Sequence, residues 1–223
     1  MTSFVDPYVY PNESVLVNLF DEHDPRKFNE RERRETWLGR QSLVVNPVKQ
    51  TFDLLHLQEL HRRLFDHVFS WAGELRTVDI SKGNSYFMPA ERLVTGGAAI
   101  AVYLRDSGLL ERDVDGETFV HAAARVLSDV NYLHPFREGN GRAQRAFLDD
   151  IARVSGRFLA WRNVSQHDHM LASIEAFDSG TGAAFEPLFR RMLVAPRDGL
   201  SPLDSRLYDV HEPRNSSKST KEK

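Results

Sequence analysis

The stretch His134-Pro135-Phe136-Arg137-Glu138-Gly139-Asn140-Gly141-Arg142-Ala143-Gln144-Arg145 decides how the rest of the chain is read. Before it, Phe119, Ala123, Val126, Leu127, Val130 and Leu133 recur at helical spacing; after it, Phe147, Leu148, Ile151 and Val154 do the same. The stretch is therefore a tight loop between two helices, each burying one face. Pro135 stops the first helix. Gly139 and Gly141 flank Asn140, so the backbone can turn sharply and come close to a ligand. The second helix begins there and presents unpaired N–H groups and the positive end of its dipole, which together make an anion site. Arg142 and Arg145 lie three apart and share a face at that same end.

One loop thus collects a proton acceptor (His134), a ligand for a hard cation (Glu138), a phosphate nest (Gly139, Asn140, Gly141) and two guanidinium groups (Arg142, Arg145). That is equipment for chemistry on a nucleotide phosphate. The bland alternative has His134 capping a helix, Glu138 solvated and the arginines paired with Asp149 and Asp150. Any one residue alone favours that alternative; so many in so short a span favour the functional reading.

At these residues the chain resembles the Fic family, whose signature is H-P-F-x-(D/E)-G-N-G-R-x-x-R and whose every fixed position is matched here. The resemblance implies a mostly α fold with one short β-hairpin flap near the active site. It also implies transfer of a nucleoside monophosphate, usually AMP from ATP, to a hydroxyl side chain (Ser, Thr or Tyr) of a target protein. The matching residues carry the roles: His134 as general base, Glu138 as ligand of Mg²⁺, and the backbone N–H groups of Gly139, Asn140 and Gly141, the Asn140 side chain, Arg142 and Arg145 as holders of the ATP phosphates. The chemistry agrees. A hydroxyl is a poor nucleophile until its proton is taken, and a positioned base contributes on the order of 10²–10⁴ in rate. Mg²⁺ between phosphates needs only one or two carboxylates. Phe136, an apolar ring in a polar loop, anchors the loop to the core. Arg137 stands at a variable position and takes no role.

The other properties are compatible with this reading. A chain of 223 residues suits one well-buried domain. A formal charge of −3 gives no reason to expect nucleic acid or an acidic membrane as a partner. The chain has no cysteine, which excludes a disulfide framework and thiolate metal sites and suits a reducing cytosol. No apolar run approaches membrane-spanning length, and Met1–Asp6 lacks the pattern of a signal peptide. The expected location is the bacterial cytosol, with secretion into a host left open.

Along the chain, residues 1–23 read as an arm with turns. Asp24-Pro25 starts a helix through Arg40, whose mixed charges form a solvated face while Phe28, Trp37 and Leu38 turn inward. A second helix runs from about Asp53 to Phe69; its His56, His61 and His67 are spaced five and six apart, wrong for one metal, and read as surface or interface histidines. Arg76–Ile80 and Ser85–Met88 are β-prone, with Ser81-Lys82-Gly83-Asn84 between them, and read as a hairpin, the one strand element expected. It either packs its aromatics on the core or offers an edge to a partner backbone. The resemblance favours the second, with Lys82, Gly83, Asn84, Ser85, Tyr86 and Phe87 as the segment that docks the target. Helices follow over Pro89–Arg105, Gly116–Leu133, the one opening at the motif and ending at Gly156, Ser165–Phe177, and a last one to about Val194. His167-Asp168-His169 reads as surface. Residues 1–196 form the domain with its arm; 197–223 form a tail, disordered from about residue 212.

Three other functions compete. One is transfer of phosphocholine, UMP or a bare phosphoryl group; relatives that move a phosphoryl depart from the Gly-Asn-Gly-Arg pattern kept here. Another is a catalytically silent binding module, which should have lost His134 or Glu138. A nucleic-acid-binding protein would carry a basic stripe. The family also restrains its members with a helix bearing (S/T)-x-x-x-E-(G/N), whose glutamate pairs with the second motif arginine, here Arg145. Ser70–Glu74 and Ser107–Glu111 have that spacing, but Leu75 and Arg112 follow them, and neither end of the chain offers a match. The resemblance therefore implies a stand-alone toxin held in check by a small helical antitoxin.

Overall fold

Helix α4 (Gly116–Leu133) runs through the middle of the molecule and touches helices α3 (Leu93–Asp106), α5 (Asn140–Val154), α6 (Gln166–Ser179) and α7 (Glu186–Met192). This is a computed structural model, and it describes residues 6–83 and 85–194. The reason for α4's position is its sequence: Phe119, Ala123, Val126, Leu127, Val130 and Leu133 are all buried, and the small Ala122 and Ala124 widen the buried face until helices fit on several sides. Asp115 caps its start by accepting the N–H groups of Glu117 and Thr118. On the other flank, α1 (Pro25–Val45) crosses α2 (Leu54–Phe65), which packs on α5. The α1–α2 crossing is close because Gly39 brings the backbones together; a Cβ there would lie 2.7 Å from the Arg63 carbonyl oxygen.

Among the described residues the fold is mostly α, with seven α-helices and two small sheets. In the first sheet β1 (Ser81–Lys82) pairs antiparallel with β2 (Ser85–Tyr86), Ser81 opposite Tyr86 and Lys82 opposite Ser85. This is the expected hairpin, but its first strand falls on Ser81-Lys82, which the sequence reading placed in the connection, and its second is shorter than Ser85–Met88. Arg76–Ile80 is not a strand because its donors go elsewhere: Arg76 N–H to the Pro135 carbonyl (2.9 Å) and Thr77 N–H to the Tyr8 hydroxyl (3.1 Å). The second sheet was not expected. Its strands β3 (Phe158–Leu159) and β4 (Leu193–Val194) pair antiparallel and join the residues after α7 to the segment after α5.

Other boundaries moved for local reasons. Helix α2 stops at Phe65 rather than Phe69, since the chain turns there and the Val68 carbonyl is taken by the Leu19 N–H of the arm (2.9 Å). The expected helix from Pro89 begins as a 3₁₀ turn over Ala90–Arg92 before α3. In α3, Gly96 and Gly97 let Met88 and Leu54 pack against the backbone. The inward face of α1 is also different. Phe28 is buried as expected, but Trp37 and Leu38 are 46% and 47% exposed. The i, i+4 row Phe28–Glu32–Thr36, continued by Gly39 and Leu43, faces in instead. The expected tail, residues 197–223, with its expected disorder from about residue 212, and Asn84 of the flap lie outside the described residues.

Candidate active site

The motif loop joins the end of α4 to the start of α5. His134 is the C-terminal cap of α4, in a left-handed conformation (φ 42°, ψ 60°), which costs a non-glycine residue roughly 1–2 kcal/mol. Its Nδ1 lies 3.2 Å from the Asn131 carbonyl oxygen. A carbonyl only accepts, so Nδ1 carries the proton and the Nε2 lone pair is left to act as a base. Burial pushes the imidazole down to about 4; the hydrogen bond to Asn131 opposes this, and the positive charges of Arg76 and Lys82 reinforce it. At neutral pH His134 is an uncharged acceptor.

Phe136 is fully buried, as an anchor should be. Around it the loop is tied to itself. The Asn140 side chain accepts the Phe136 N–H (3.0 Å) and donates to the Phe136 carbonyl (2.8 Å). Asn140 thus braces the turn with its side chain, and what it offers a phosphate is its backbone N–H at the head of α5. Gly139 caps α5 at φ 82°, and a Cβ there would sit 2.4 Å from Phe65 Cζ, so both conformation and space demand glycine. Gly141 is the opposite case. A Cβ there would meet only Arg145 Nη1, at 3.8 Å, so the space over the first turn of α5 is open to a ligand.

The two arginines differ. Arg145 stands half-buried at this open face. Arg142 turns toward α1: its Nη1 donates to Glu32 and lies 3.4 Å from the Thr36 hydroxyl, its guanidinium sits 4.6 Å from the Phe65 ring centroid, and its Nη2 is 3.6 Å from Glu138 Oε1. The Glu138 carboxylate is half exposed and accepts the Gly139 N–H at 2.9 Å. A carboxylate open to solvent at the head of α5 fits a Mg²⁺ that takes its remaining ligands from phosphate and water. Arg137 reaches Asp6 of the arm, 2.8 Å from Nη2, and so fastens the arm to the loop.

The flap is brought to this loop. Phe87, just after β2, stacks on His134 with centroids 3.8 Å apart. Lys82 is near enough to lower the His134 pKa. Lys82, Gly83 and Tyr86 are exposed at the flap's outer part, and Ser85 is half-buried.

Four residues were missed or misread in the sequence. His61 is not on the surface; it is fully buried under the motif loop. Its Nδ1 accepts the Gly73 N–H (2.9 Å), so its Nε2–H donates to the Glu138 carbonyl (2.9 Å), and its ring stacks on Phe136 at 3.8 Å. Burial holds it neutral, with a pKa of about 4. His56 is likewise buried and bonds Asp150 at 3.0 Å, joining α2 to α5; of the three histidines only His67 is exposed. His169 is half-buried against Trp161 and Phe185, and burial together with the charge of Arg145 lowers its pKa to about 4. Arg76 is buried at the base of the flap with its Nε 2.8 Å from the His134 carbonyl oxygen. No local sequence signal marks any of these, because each acts across the fold.

The Fic/DOC family model matches residues 51–152, which hold α2, the flap, α3, α4 and most of α5. Two relatives extend the match well beyond the motif. Protein adenylyltransferase VbhT of Bartonella schoenbuchensis is 34% identical over 188 residues, 84% of this chain and 39% of VbhT. The probable protein adenylyltransferase Fic of Salmonella typhimurium is 30% identical over 193 residues, 86% of this chain and 94% of that protein. The chain belongs to the Fic/DOC family. The fold agrees: the crystal structure of the BepC protein, a VirB-translocated effector of Bartonella tribocorum with bound AMPPNP, superposes with a TM-score of 0.79 at 23% identity, covering 85% of this chain and 97% of BepC. In this Fic protein the motif spans the loop after α4 and the first turns of α5, with His61 and Arg76 beneath it.

Proposed function

We propose that this Fic protein is a protein adenylyltransferase that transfers AMP from ATP to a Ser, Thr or Tyr hydroxyl of a target protein. The observation that carries the reading is the tautomer of His134: its Nδ1–H is held by Asn131, and its Nε2 lone pair stands in a loop that leads directly into the head of α5. The names of the relatives support the same activity. In the reaction the target oxygen bonds to the α-phosphorus, the bond from that phosphorus to the β-bridging oxygen breaks, and pyrophosphate leaves. His134 takes the hydroxyl proton. The N–H groups at the head of α5 and the Arg145 guanidinium hold the phosphates. Glu138 would hold Mg²⁺, which when bound offsets phosphate charge. Arg142 is already engaged by Glu32, so its part is to brace Glu138 and α5 as much as to touch phosphate.

We further infer that restraint comes from a separate small helical antitoxin that binds beside Arg145. Both segments with the spacing of the inhibitory pattern, Ser70–Glu74 and Ser107–Glu111, lie in turns rather than helices and include Gly73 (φ 83°) and Gly108 (φ 71°). Among the described residues no helix is long and apolar enough to cross a membrane. We take the site of action to be the bacterial cytosol, with secretion into a host as the alternative.

The test is incubation of the purified chain with ATP, Mg²⁺ and a bacterial lysate. Label on the α-phosphate should enter a protein band, and H134A should abolish this while keeping ATP affinity. Label entering only from the γ-phosphate would identify a phosphoryl transferase, and no label from either would remove ATP as the donor and leave transfer of phosphocholine or UMP, or a silent module. Activity that appears only after the chain's own terminal residues are deleted would place the restraint inside the chain and remove the antitoxin.

A further inference from the structure

The Arg76 guanidinium is enclosed, with no exposed side-chain surface, yet among the described residues no buried carboxylate is paired with it; its acidic neighbour Asp79 is 3.8 Å away and 77% exposed. Its donors go to main-chain carbonyls instead. Nε donates to His134 (2.8 Å), and Nη2 lies 3.5 Å from the Leu133 oxygen. On the flap side, Nη1 donates to Val78 (2.7 Å) and Nη2 to Met88. The Arg76 N–H also donates to Pro135, and the Met88 N–H to Tyr132 at the end of α4. One planar group therefore has the end of α4 on one side and both stems of the flap on the other.

A buried charge of this kind is an expensive way to fill space, and apolar packing would be simpler if stability were all that mattered. What a guanidinium supplies is a rigid fork of donors in fixed directions. Those directions fix the His134 carbonyl, and with it a backbone held in an unfavourable left-handed conformation. They also fix Val78, three residues before β1, and Met88, two residues after β2.

We propose that Arg76 is a positioning residue of the transfer reaction, joining the flap that seats the target to the backbone of the histidine that takes the target's proton. This rests on the transferase reading above. With Arg76 in place, the flap and His134 move as one body, and a hydroxyl registered on the flap arrives at a fixed distance from Nε2. Phe87, stacked on His134, is the side-chain counterpart of the same link.

The experiment compares wild type with R76K, which keeps the charge but has a single nitrogen that cannot reach both sides. Calorimetry with AMPPNP and Mg²⁺ should give affinities within about threefold, while α-label transfer to lysate protein should fall about 10²-fold, the scale of a misplacement near 1 Å. A transfer loss no larger than the loss of AMPPNP affinity overturns the proposal, because a merely structural role lowers both together. Amide hydrogen exchange of the wild type decides the case without any variant. Arg76, Met88 and His134 N–H groups should exchange through one common opening, more slowly than the strand residues Lys82 and Ser85. Flap-base amides that exchange independently of His134, and about tenfold faster or more, overturn the coupling. If wild type labels no protein, the transferase reading fails; the exchange measurement still tells whether flap and histidine are one body.

Discussion

The ring of Phe87 lies flat on the imidazole of His134, with centroids 3.8 Å apart and planes 16° from parallel. The flap thus covers one face of the proposed base, whose pKa is lowered mainly by burial. Replacing Phe87 by Leu should let water reach that face. We expect the His134 pKa to rise from about 4 toward its ordinary value in an NMR titration, and the stacking loss to slow transfer about fivefold, the scale of 1 kcal/mol for an aromatic pair. An unmoved titration would assign the desolvation to the loop alone.

His61 should be a stability residue whose loss also reaches the site. In H61A the Gly73 N–H and the Glu138 carbonyl lose their partner, and the stack on Phe136 is replaced by a cavity. Each unsatisfied buried group costs about 1–3 kcal/mol, and the cavity adds to that. Denaturant unfolding should show a loss of about 3 kcal/mol or more, with weaker AMPPNP binding as the Glu138–Gly139 turn loosens. A loss below about 1 kcal/mol would mean water replaces the ring.

Gly139 and Gly141 should respond in opposite ways to alanine. At Gly139 the new methyl strikes Phe65 and the backbone stays at φ 82°, so strain and overpacking together should cost about 2–4 kcal/mol. At Gly141 the methyl stands in open space inside a helix, where alanine is better than glycine by up to about 1 kcal/mol. G141A should melt at or above the wild-type temperature and yet bind AMPPNP poorly, because the methyl occupies the ligand's approach. Unchanged AMPPNP affinity in G141A would move the phosphate site elsewhere.

Acid should weaken the fold before it reaches the carboxylates. His61, His134 and His169 have folded pKa values of about 4, below the ordinary value near 6.5. Between those limits the unfolded chain binds more protons than the folded one, so stability is full above about pH 6.5 and falls as pH drops toward 4. For the fully buried His61 the slope approaches about 1.4 kcal/mol per pH unit; the half-buried pair adds less. Urea midpoints at pH 7.0, 6.0 and 5.0 should fall in that order. A flat series would mean that the three rings protonate in place.

Glu32 should influence the metal without touching it. It holds Arg142, whose other nitrogen lies 3.6 Å from Glu138. In E32A that guanidinium is released toward Glu138, which then gives Mg²⁺ a weaker ligand. The Mg²⁺ concentration for half-maximal transfer should rise several-fold, and an unchanged value would detach α1 from the site.

The motif loop was legible in the sequence because everything that shapes it is local. Two amphipathic helices meet at a proline and two glycines, and the buried faces of α4 and the first turns of α5 follow from residues three and four apart. The family signature lies wholly within twelve consecutive residues, so the candidate base, carboxylate, nest and arginines could be named in advance. Seating Asn140's side chain on Phe136 rather than toward the phosphates could not, since that depends on how tightly the turn closes.

Tertiary structure decided which residues support that loop. His61 and Arg76 act on backbone carbonyls 77 and 58 residues away, and hydrogen bonds to backbone leave no pattern in the partner's sequence. On α1, hydropathy alone points Trp37 and Leu38 inward; the fold places Glu32 and Thr36 there because Arg142 needs a carboxylate more than that surface needs an apolar ring. The β3–β4 sheet joins residues 158–159 to 193–194, strands too short to show the period of two by which strands are recognised. Local periodicity and turn chemistry fix the loop that carries the chemistry. Contacts between segments far apart in sequence fix the protonation, the backbone conformation and the flap that make the loop usable.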